Sequence, residues 1–390
     1  MAYNVTSWFV EQIEAKNAKP KRVFTIGGSD YSGFVNKWPT IRRKWDEVRP
    51  QSITMELANE GQSFDFIRAD KTKLRSSCAV QLGFTHPTSG DELITLYSGT
   101  MDKVRYANGA CSITLLDKFK QLSERIMGTR DTPVAFTDSS TPPDIAWAAV
   151  TSYGGYSAVA SDSNPDIDYA SFLEWSSVLS ADAVFMNGLI DGSKCTEVLK
   201  KISRFTQSAI AIENDRIFFK RFSLADSNSG AFTNDNVIDV TLSIDDEDIV
   251  NKQYVSAGYV PSSNAWAIQV FDVVSSSVES YGLREQVEKD ESVWFVNSNS
   301  ALNLAQRLTS TAGEPFDRVN VITPLAGALR QVGETMTLVD STHSIDDGFR
   351  VMAYTIDMDR SVFKAEIDRS QYAQPFTLDV SYLDGSDVLA

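Results

Sequence analysis

The side chains able to do chemistry are few and scattered. Only two histidines occur in 390 residues, His86 before Pro87 and His343 in Ser-Thr-His-Ser-Ile-Asp-Asp-Gly, both within turn sequences. A Ser-His-Asp relay or an imidazole metal site needs one of them beside a nucleophile or a carboxylate cluster, and no spacing puts either there. Cys78, Cys111 and Cys195 are far apart, odd in number and free of any CxxC pattern, so they read as small buried hydrophobes. The acidic run Asp245-Asp246-Glu247-Asp248 lacks the alternate-residue spacing and distal Glu of a calcium loop. It reads as a solvated connector, and Asp340 with Asp346-Asp347-Gly348 is a weaker candidate still. The 52 acidic residues make some close carboxylate pair inevitable, so no pair singles itself out for glycoside cleavage. Gly27-Gly28-Ser29-Asp30-Tyr31 lacks the closing Gly of a nucleophile elbow, and neither a Walker loop nor GxGxxG occurs. The sequence therefore predicts no catalytic residue, no metal site and no cofactor.

One constellation stands out against the acidic background: Lys37-Trp38, Arg42-Arg43-Lys44-Trp45 and Arg49. Trp and Arg are the preferred anchors of protein interfaces, so Trp38, Arg42, Arg43, Lys44, Trp45 and Arg49 are the candidate interface. The competing reading is a solvated loop with one Trp packed inward. As a nucleic-acid patch the cluster is small and sits on no known module.

The formal net charge is −16, which opposes tight duplex binding but suits the wall of a conduit along which DNA slides. Hydrophobic content of 42% is enough for real cores in two or three domains. No apolar run spans a bilayer, and the N-terminus lacks the basic start and apolar stretch of a signal peptide, so the chain is expected to be made and assembled in a cytoplasm.

Short alternating strands and tight turns dominate the first part. A helix is expected over residues 5–16, with Trp8, Phe9 and Ile13 on one face, then strands over 22–31 and 52–57. Pro87 with Ser89-Gly90 closes one hairpin and Asn108-Gly109 a second, because Asn and Gly accept the positive φ of a tight right-twisting turn. Leu115, Phe119, Leu122 and Ile126 then fall on one helical stripe ended by Gly128. Three further helices follow: one opened by Thr141-Pro142-Pro143-Asp144, one with Phe172, Trp175 and Leu179, and one with Val198, Leu199, Ile202 and Phe205. Strands resume at Ser208, with a turn at Asn214-Asp215 and one later helix over 300–312.

This layout resembles the baseplate-hub or tail-tip hub proteins of tailed bacteriophages. The likeness runs through FTIGGSDYSGFVNKWPTIRRKWDEVRPQSITMELAN (24–59), DELITLYSGTMDKVRYANGACSITLLDKFKQLSERIMG (91–128), IDDEDIVNKQYVSAGY (244–259) and SYGLRE with the later Trp294, stopping near Tyr372. The resemblance implies a mainly β, α+β chain: two small antiparallel β-barrel domains plus a helical insertion domain, in a ring-forming trimer. Mapped onto this chain, residues 1–128 are a first barrel with its N-terminal helix and 129–207 the helical insertion. Residues 208–244 return to complete the first barrel, 245–375 form a second barrel with one inserted helix, and 376–390 are a tail. It further implies a homotrimer whose paired barrels look sixfold, joining a sixfold tail tube to a threefold spike or tip around the DNA exit channel. The implied partners are further copies of the chain, the tail tube or a distal tail protein, a spike, fibre or tip protein and a tape-measure protein, in the virion, without specific nucleic acid or membrane insertion. The alternatives are a receptor- or glycan-binding tail module with exposed aromatic platforms at Tyr153, Tyr156 or Trp175, and a virion-associated hydrolase.

Overall fold

Period-two alternation of apolar residues decides most of the architecture, because it puts one face of each strand inward. The computed structural model describes residues 5–15, 19–45, 47–137, 140–181, 188–221, 230–244, 249–260, 263, 265–289, 298–313, 315 and 317–368. The first part contains α1 (Ser7–Glu14), β1 (Lys21–Ile26), β2 (Ser29–Asp30), β3 (Val35–Lys37), β4 (Thr40–Lys44), β5 (Ser52–Ala58), α2 (Asp65–Ala69), β6 (Ser77–His86), β7 (Gly90–Ala107) and β8 (Ala110–Leu116). The middle holds α3 (Phe119–Glu124), β9 (Ile126–Met127), β10 (Val134–Phe136), α4 (Pro142–Ala148), α5 (Tyr169–Ala181), β11 (Gly188–Ile190), β12 (Ser193–Lys194), α6 (Cys195–Thr206), β13 (Ser208–Glu213) and β14 (Arg216–Arg221). The last part runs β15 (Ala231–Thr233), β16 (Asp239–Ile244), β17 (Lys252–Val260), β18 (Ala265–Val273), α7 (Ser275–Tyr281), β19 (Glu285–Lys289), α8 (Ser298–Ala312), β20 (Asp317–Pro324), β21 (Thr335–Asp340), β22 (Ile345–Asp357) and β23 (Val362–Asp368).

Two seven-stranded, curled sheets dominate. The first has the order β2-β1-β6-β7-β8-β5-β3; the second has β15-β21-β22-β23-β20-β16, with β4 added beside β22. Register shifts at Val80/Gln81, Met101/Lys103 and Val351/Ala353 mark bulges, each of which bends a strand and tightens the curl. The β7–β8 hairpin closes through Asn108 and Gly109 at φ 33° and 79°, as the sequence demands of a two-residue turn. At Gly99 a Cβ would collide with the Leu116 carbonyl, so β7 crosses the end of β8 only because this position has no side chain.

The two sheets share one apolar core. Phe24, Met55, Leu57, Val80 and Ile113 of the first meet Val321, Leu338, Phe349, Ile356 and Phe363 of the second. Helix α1 begins on Thr6, whose hydroxyl accepts from the Phe9 N–H, and it buries Phe9 and Ile13 between β6 and the turn Leu325–Leu329.

A second core binds the helical layer. Thr141 and Asp144 form a reciprocal capping box at the start of α4, and Gly155 follows at φ 78°. Phe172, Trp175 and Leu179 of α5 and Val198, Leu199 and Ile202 of α6 are buried on the β13–β14 hairpin, which turns at Asn214-Asp215 as read from sequence.

Four expectations are corrected. Leu115 lies in β8 rather than on a helix: the period-two run Cys111, Ile113, Leu115 pairs with β5 and β7, leaving α3 only residues 119–124 and Ile126 half exposed in β9. Residues 208–244 do not return to the first sheet. β13 is buried along its whole length within the helical core, β15 pairs β21, and β16 pairs β20. β4 crosses in the opposite sense, leaving the first part to pair with β22. Finally, β17–β19 stand apart from the second sheet as β18-β17-β19, with β19 parallel to β17 and with Val255, Ala257, Ile268 and Val270 packed in the core that holds Ala301, Leu304 and Ala305 of α8. The acidic run 245–248, Trp294 and the tail 376–390 lie outside the described residues.

Candidate assembly surfaces and the junction between the sheets

Strand alternation divides the basic-aromatic cluster between inside and outside. On β4, Ile41 and Arg43 turn into the protein while Arg42 points to solvent. Trp38 and Trp45 are half-buried against the shared core, tied by backbone N–H bonds to Asp359 Oδ1 (3.0 Å) and to the Met352 carbonyl (3.0 Å). Lys44 is half-buried, and the exposed Arg49 is held by Glu47, with Nε 2.7 Å from Oε1. The structure therefore keeps the six candidates close in the chain but leaves only Arg42 and Arg49 facing outward. Density of Arg and Trp located the cluster; period-two alternation was the signal that separates Arg42 from Arg43.

Arg43 is instead the centre of a buried polar junction, only 2% exposed. Its Nη1 donates to Gln51 Oε1 (2.6 Å) and lies 3.6 Å from Asp117 Oδ2, and its guanidinium sits over the Tyr97 ring, 5.3 Å from the centroid. Tyr354, directly opposite Arg43 in the β4–β22 register, donates to Glu213 at 2.9 and 3.1 Å. The first sheet (Tyr97, with Asp117 just past β8), the second sheet (Arg43, Tyr354) and the helical layer (Glu213) meet here. Burial pushes Asp117 up to about 7 against the pull of Arg43, and Glu47 pushes the same way as burial. Burial likewise pushes Glu213 up to about 7, opposed by Arg43 and the Tyr354 hydroxyl and assisted by Glu334. Raised carboxylates are also the mark of catalytic acids. Here the Glu213 carboxylate accepts from a tyrosine of the core and from the Val332 N–H, and Asp117 accepts the Phe119 N–H at 3.1 Å to start α3, all of which are structural tasks.

A cleft of about 870 Å³ opens beside this junction, between the β6–β7 end of the first sheet and α3. Its charged lining is mixed: Arg75, Lys118, Lys120 and Arg125 against Asp102, Asp117, Glu124 and Asp215. Lys118 spans it, 3.0 Å from Asp166 and 3.5 Å from Asp215, so much of its charge is neutralised internally.

The remaining candidates take ordinary places. His86 Nδ1 accepts from the Thr88 and Ser89 N–H groups at 3.2 Å and its ring meets Trp8 edge-on at 4.5 Å; His343 bonds Asp340 within its own turn. Cys78, Cys111 and Cys195 are buried and free, and burial raises the thiols to about 12, 11 and 11. Among the described residues no three His, Cys, Asp or Glu side chains gather to hold a metal, and no helix is long and apolar enough to cross a membrane. Trp175 is 1% exposed with Nε1 donating to Ser208 Oγ (2.8 Å), and Tyr156 is half-buried with its hydroxyl on the Lys118 carbonyl (2.5 Å). Tyr153 packs on the same core, so none of the three forms an exposed platform.

Sequence signatures place the chain nowhere: no family model matches it, and no curated protein does. Solved structures do share its fold. The 43 kDa tail protein of prophage MuSo2 from Shewanella oneidensis superposes with a TM-score of 0.59 at 15% identity, over 90% of this chain and 98% of that one. A tail protein from Neisseria meningitidis MC58 gives 0.59 at 13%, over 90% and 96%. Prophage tail protein gp18 from Listeria monocytogenes EGD-e gives 0.54 at 11%, over 92% and 96%. The fold is that of phage tail proteins, aligned over nearly the full length on both sides.

Proposed function

We propose that this chain is the structural hub of a phage tail or baseplate, a homotrimer that presents six similar sheets to a sixfold tail tube and three copies of itself to a spike, fibre or tip. The supporting observation is the internal repeat of strand order. β6-β7-β8-β5-β3 in the first sheet corresponds to β21-β22-β23-β20-β16 in the second, each built on a long, bulged central strand. Two units of one topology in each copy let a threefold assembly act as sixfold, so the mismatch between tube and tip is absorbed inside one polypeptide. The work is architectural, and the likeness to tail proteins supports it. On this reading the units are 19–116 with the first sheet, 117–221 as the helical layer, and 230–244 with 317–368 as the second sheet, into which 249–313 is inserted. The tube or distal tail protein, the tape-measure protein and the tip are the partners, and the net charge of −16 suits a channel along which DNA slides.

Light scattering on the purified chain tests this, with an expected mass three times 43.1 kDa. Averaged electron images should show a threefold ring with six similar lobes. A ring of any other order removes the proposal.

A further inference from the structure

The outer edge of the second sheet is unfinished. Among the outer strands of the two sheets, β2, β3 and β15 have two or three residues, short enough to blunt pairing, and the five-residue β4 pairs only β22 among the described residues. β16 has six, pairs β20 on one side, and has no strand on the other among the described residues. Ile238 and Ile244, 60% and 64% exposed, bracket it and are the most exposed large hydrophobic residues described. Asp239 is exposed on the strand.

A second surface has the opposite sign. The 3-10 turn Lys71–Arg75 packs beside the part of β7 that extends past β6. Together with the end of α2 they expose Arg68, Lys71, Lys73, Arg75, Lys103 and Arg105, none within 4 Å of a carboxylate among the described residues. Asp65, Asp70 and Asp102 lie in the same segments, but Asp70 is turned onto the N–H and hydroxyl of Thr72, so cations prevail. Six unpaired cations in one corner of a chain with net charge −16 need a partner of acidic character.

The repeated strand order states where these surfaces belong. Within the chain, the β3 end of the first sheet hands β4 to the flank of β22 at Ala353–Asp357, past the point where β21 stops. The end of the second sheet that corresponds to β3 is β16. The flank that corresponds to Ala353–Asp357 is the stretch of β7 past Thr100, where β6 stops and Lys103 and Arg105 lie. We propose that the apolar edge at β16 of one copy, with Asp239 exposed on it, docks on the basic corner formed by the 71–75 turn and the end of β7 on the next copy. The contact repeats between molecules the junction that β4 and β22 make within one, and because it joins unlike surfaces it propagates head to tail until the ring closes. This rests on the trimeric-hub reading and adds which faces meet.

The experiment uses two full-length variants, Ile244→Cys and Lys73→Cys; the three native thiols are buried and stay out of the reaction. Mixed equally and oxidised, they should give a covalent heterodimer that neither yields alone, and the double variant should give a covalent trimer. Lys71→Glu/Lys73→Glu/Arg75→Glu should raise the concentration for half-assembly at least tenfold with an unchanged unfolding midpoint. A wild-type trimer with no hetero-adduct and an inert triple reversal would overturn the docking and leave the ring reading standing. A wild-type chain that stays monomeric at every concentration would overturn both. If the reversal abolishes retention of a labelled DNA duplex and leaves the mass unchanged, the corner is a nucleic-acid contact and the proposal falls.

Discussion

Basic residues in two regions of this protein meet opposite fates. Arg43 is folded into the junction of three units, stacked on Tyr97 and surrounded by Gln51, Asp117 and Glu213. Arg68, Lys71, Lys73, Arg75, Lys103 and Arg105 face water without an ion pair among the described residues. A buried, bonded charge specifies one arrangement of its own chain, because leaving it unpaired is costly. An exposed one contributes little to folding and remains free for recognition. Burial, rather than residue type, sets which task a basic cluster performs.

The largest expected effect tests the buried side. Arg43→Ala strands Asp117 and Glu213 and should lower stability by about 3–5 kcal/mol in urea unfolding. Arg42→Ala, one residue away on the solvent face, should stay within about 0.5 kcal/mol. Equal losses would erase the distinction. Trp175→Phe, which breaks the bond to Ser208 and leaves a gap in the helical core, should cost about 1–3 kcal/mol and leave the sheet junction intact.

The junction also makes stability depend on pH. The folded Asp117 and Glu213 titrate near 7, against ordinary values of 3.8 and 4.5. Between about pH 4 and 7 the folded state therefore holds more protons than the unfolded chain, so stability falls as pH rises through that window. Arg43 opposes the shift at both groups, Tyr354 opposes it at Glu213, and Glu47 and Glu334 reinforce it. Unfolding midpoints should be higher at pH 5 than at pH 8, by something on the order of 1–3 kcal/mol in free energy. Asp117→Asn and Glu213→Gln should each flatten the slope, and together abolish most of it. A midpoint that rises from pH 5 to 8 in the wild-type chain would contradict the buried junction.

Much of this was legible in the residues. Asn108-Gly109, Asn214-Asp215 and the helix start at Thr141-Pro142-Pro143-Asp144 announced themselves because each satisfies a local backbone demand that few residue types meet. The apolar faces of α5 and α6 followed from helical spacing for the same reason. Strand partners were not legible, since β16 alternates alike whether it lies beside the first sheet or the second, and β4 gives no local sign that it crosses over. The candidate interface was found by density of Arg and Trp, a criterion blind to which side of a strand a residue takes; it therefore included Arg43. It also passed over Lys71-Thr72-Lys73-Leu74-Arg75, which has no aromatic and becomes a corner only when β7 brings Lys103 and Arg105 beside it.

The smallest expected effect sharpens the exposed side. Arg49 is bonded to Glu47 although its side chain is 73% exposed, so it is neither buried like Arg43 nor unpaired like Lys73. Exposed pairs of this kind contribute about 0–1 kcal/mol, most of it screened by salt. Arg49→Ala should leave unfolding within about 0.5 kcal/mol of wild type and leave the assembly midpoint unmoved. If it weakens assembly as strongly as reversal of the 71–75 turn, the contact between copies includes the β4 side of the molecule as well. In that case burial does not separate the two groups of cations, because a cation already paired within its own chain would also be recognised by the next.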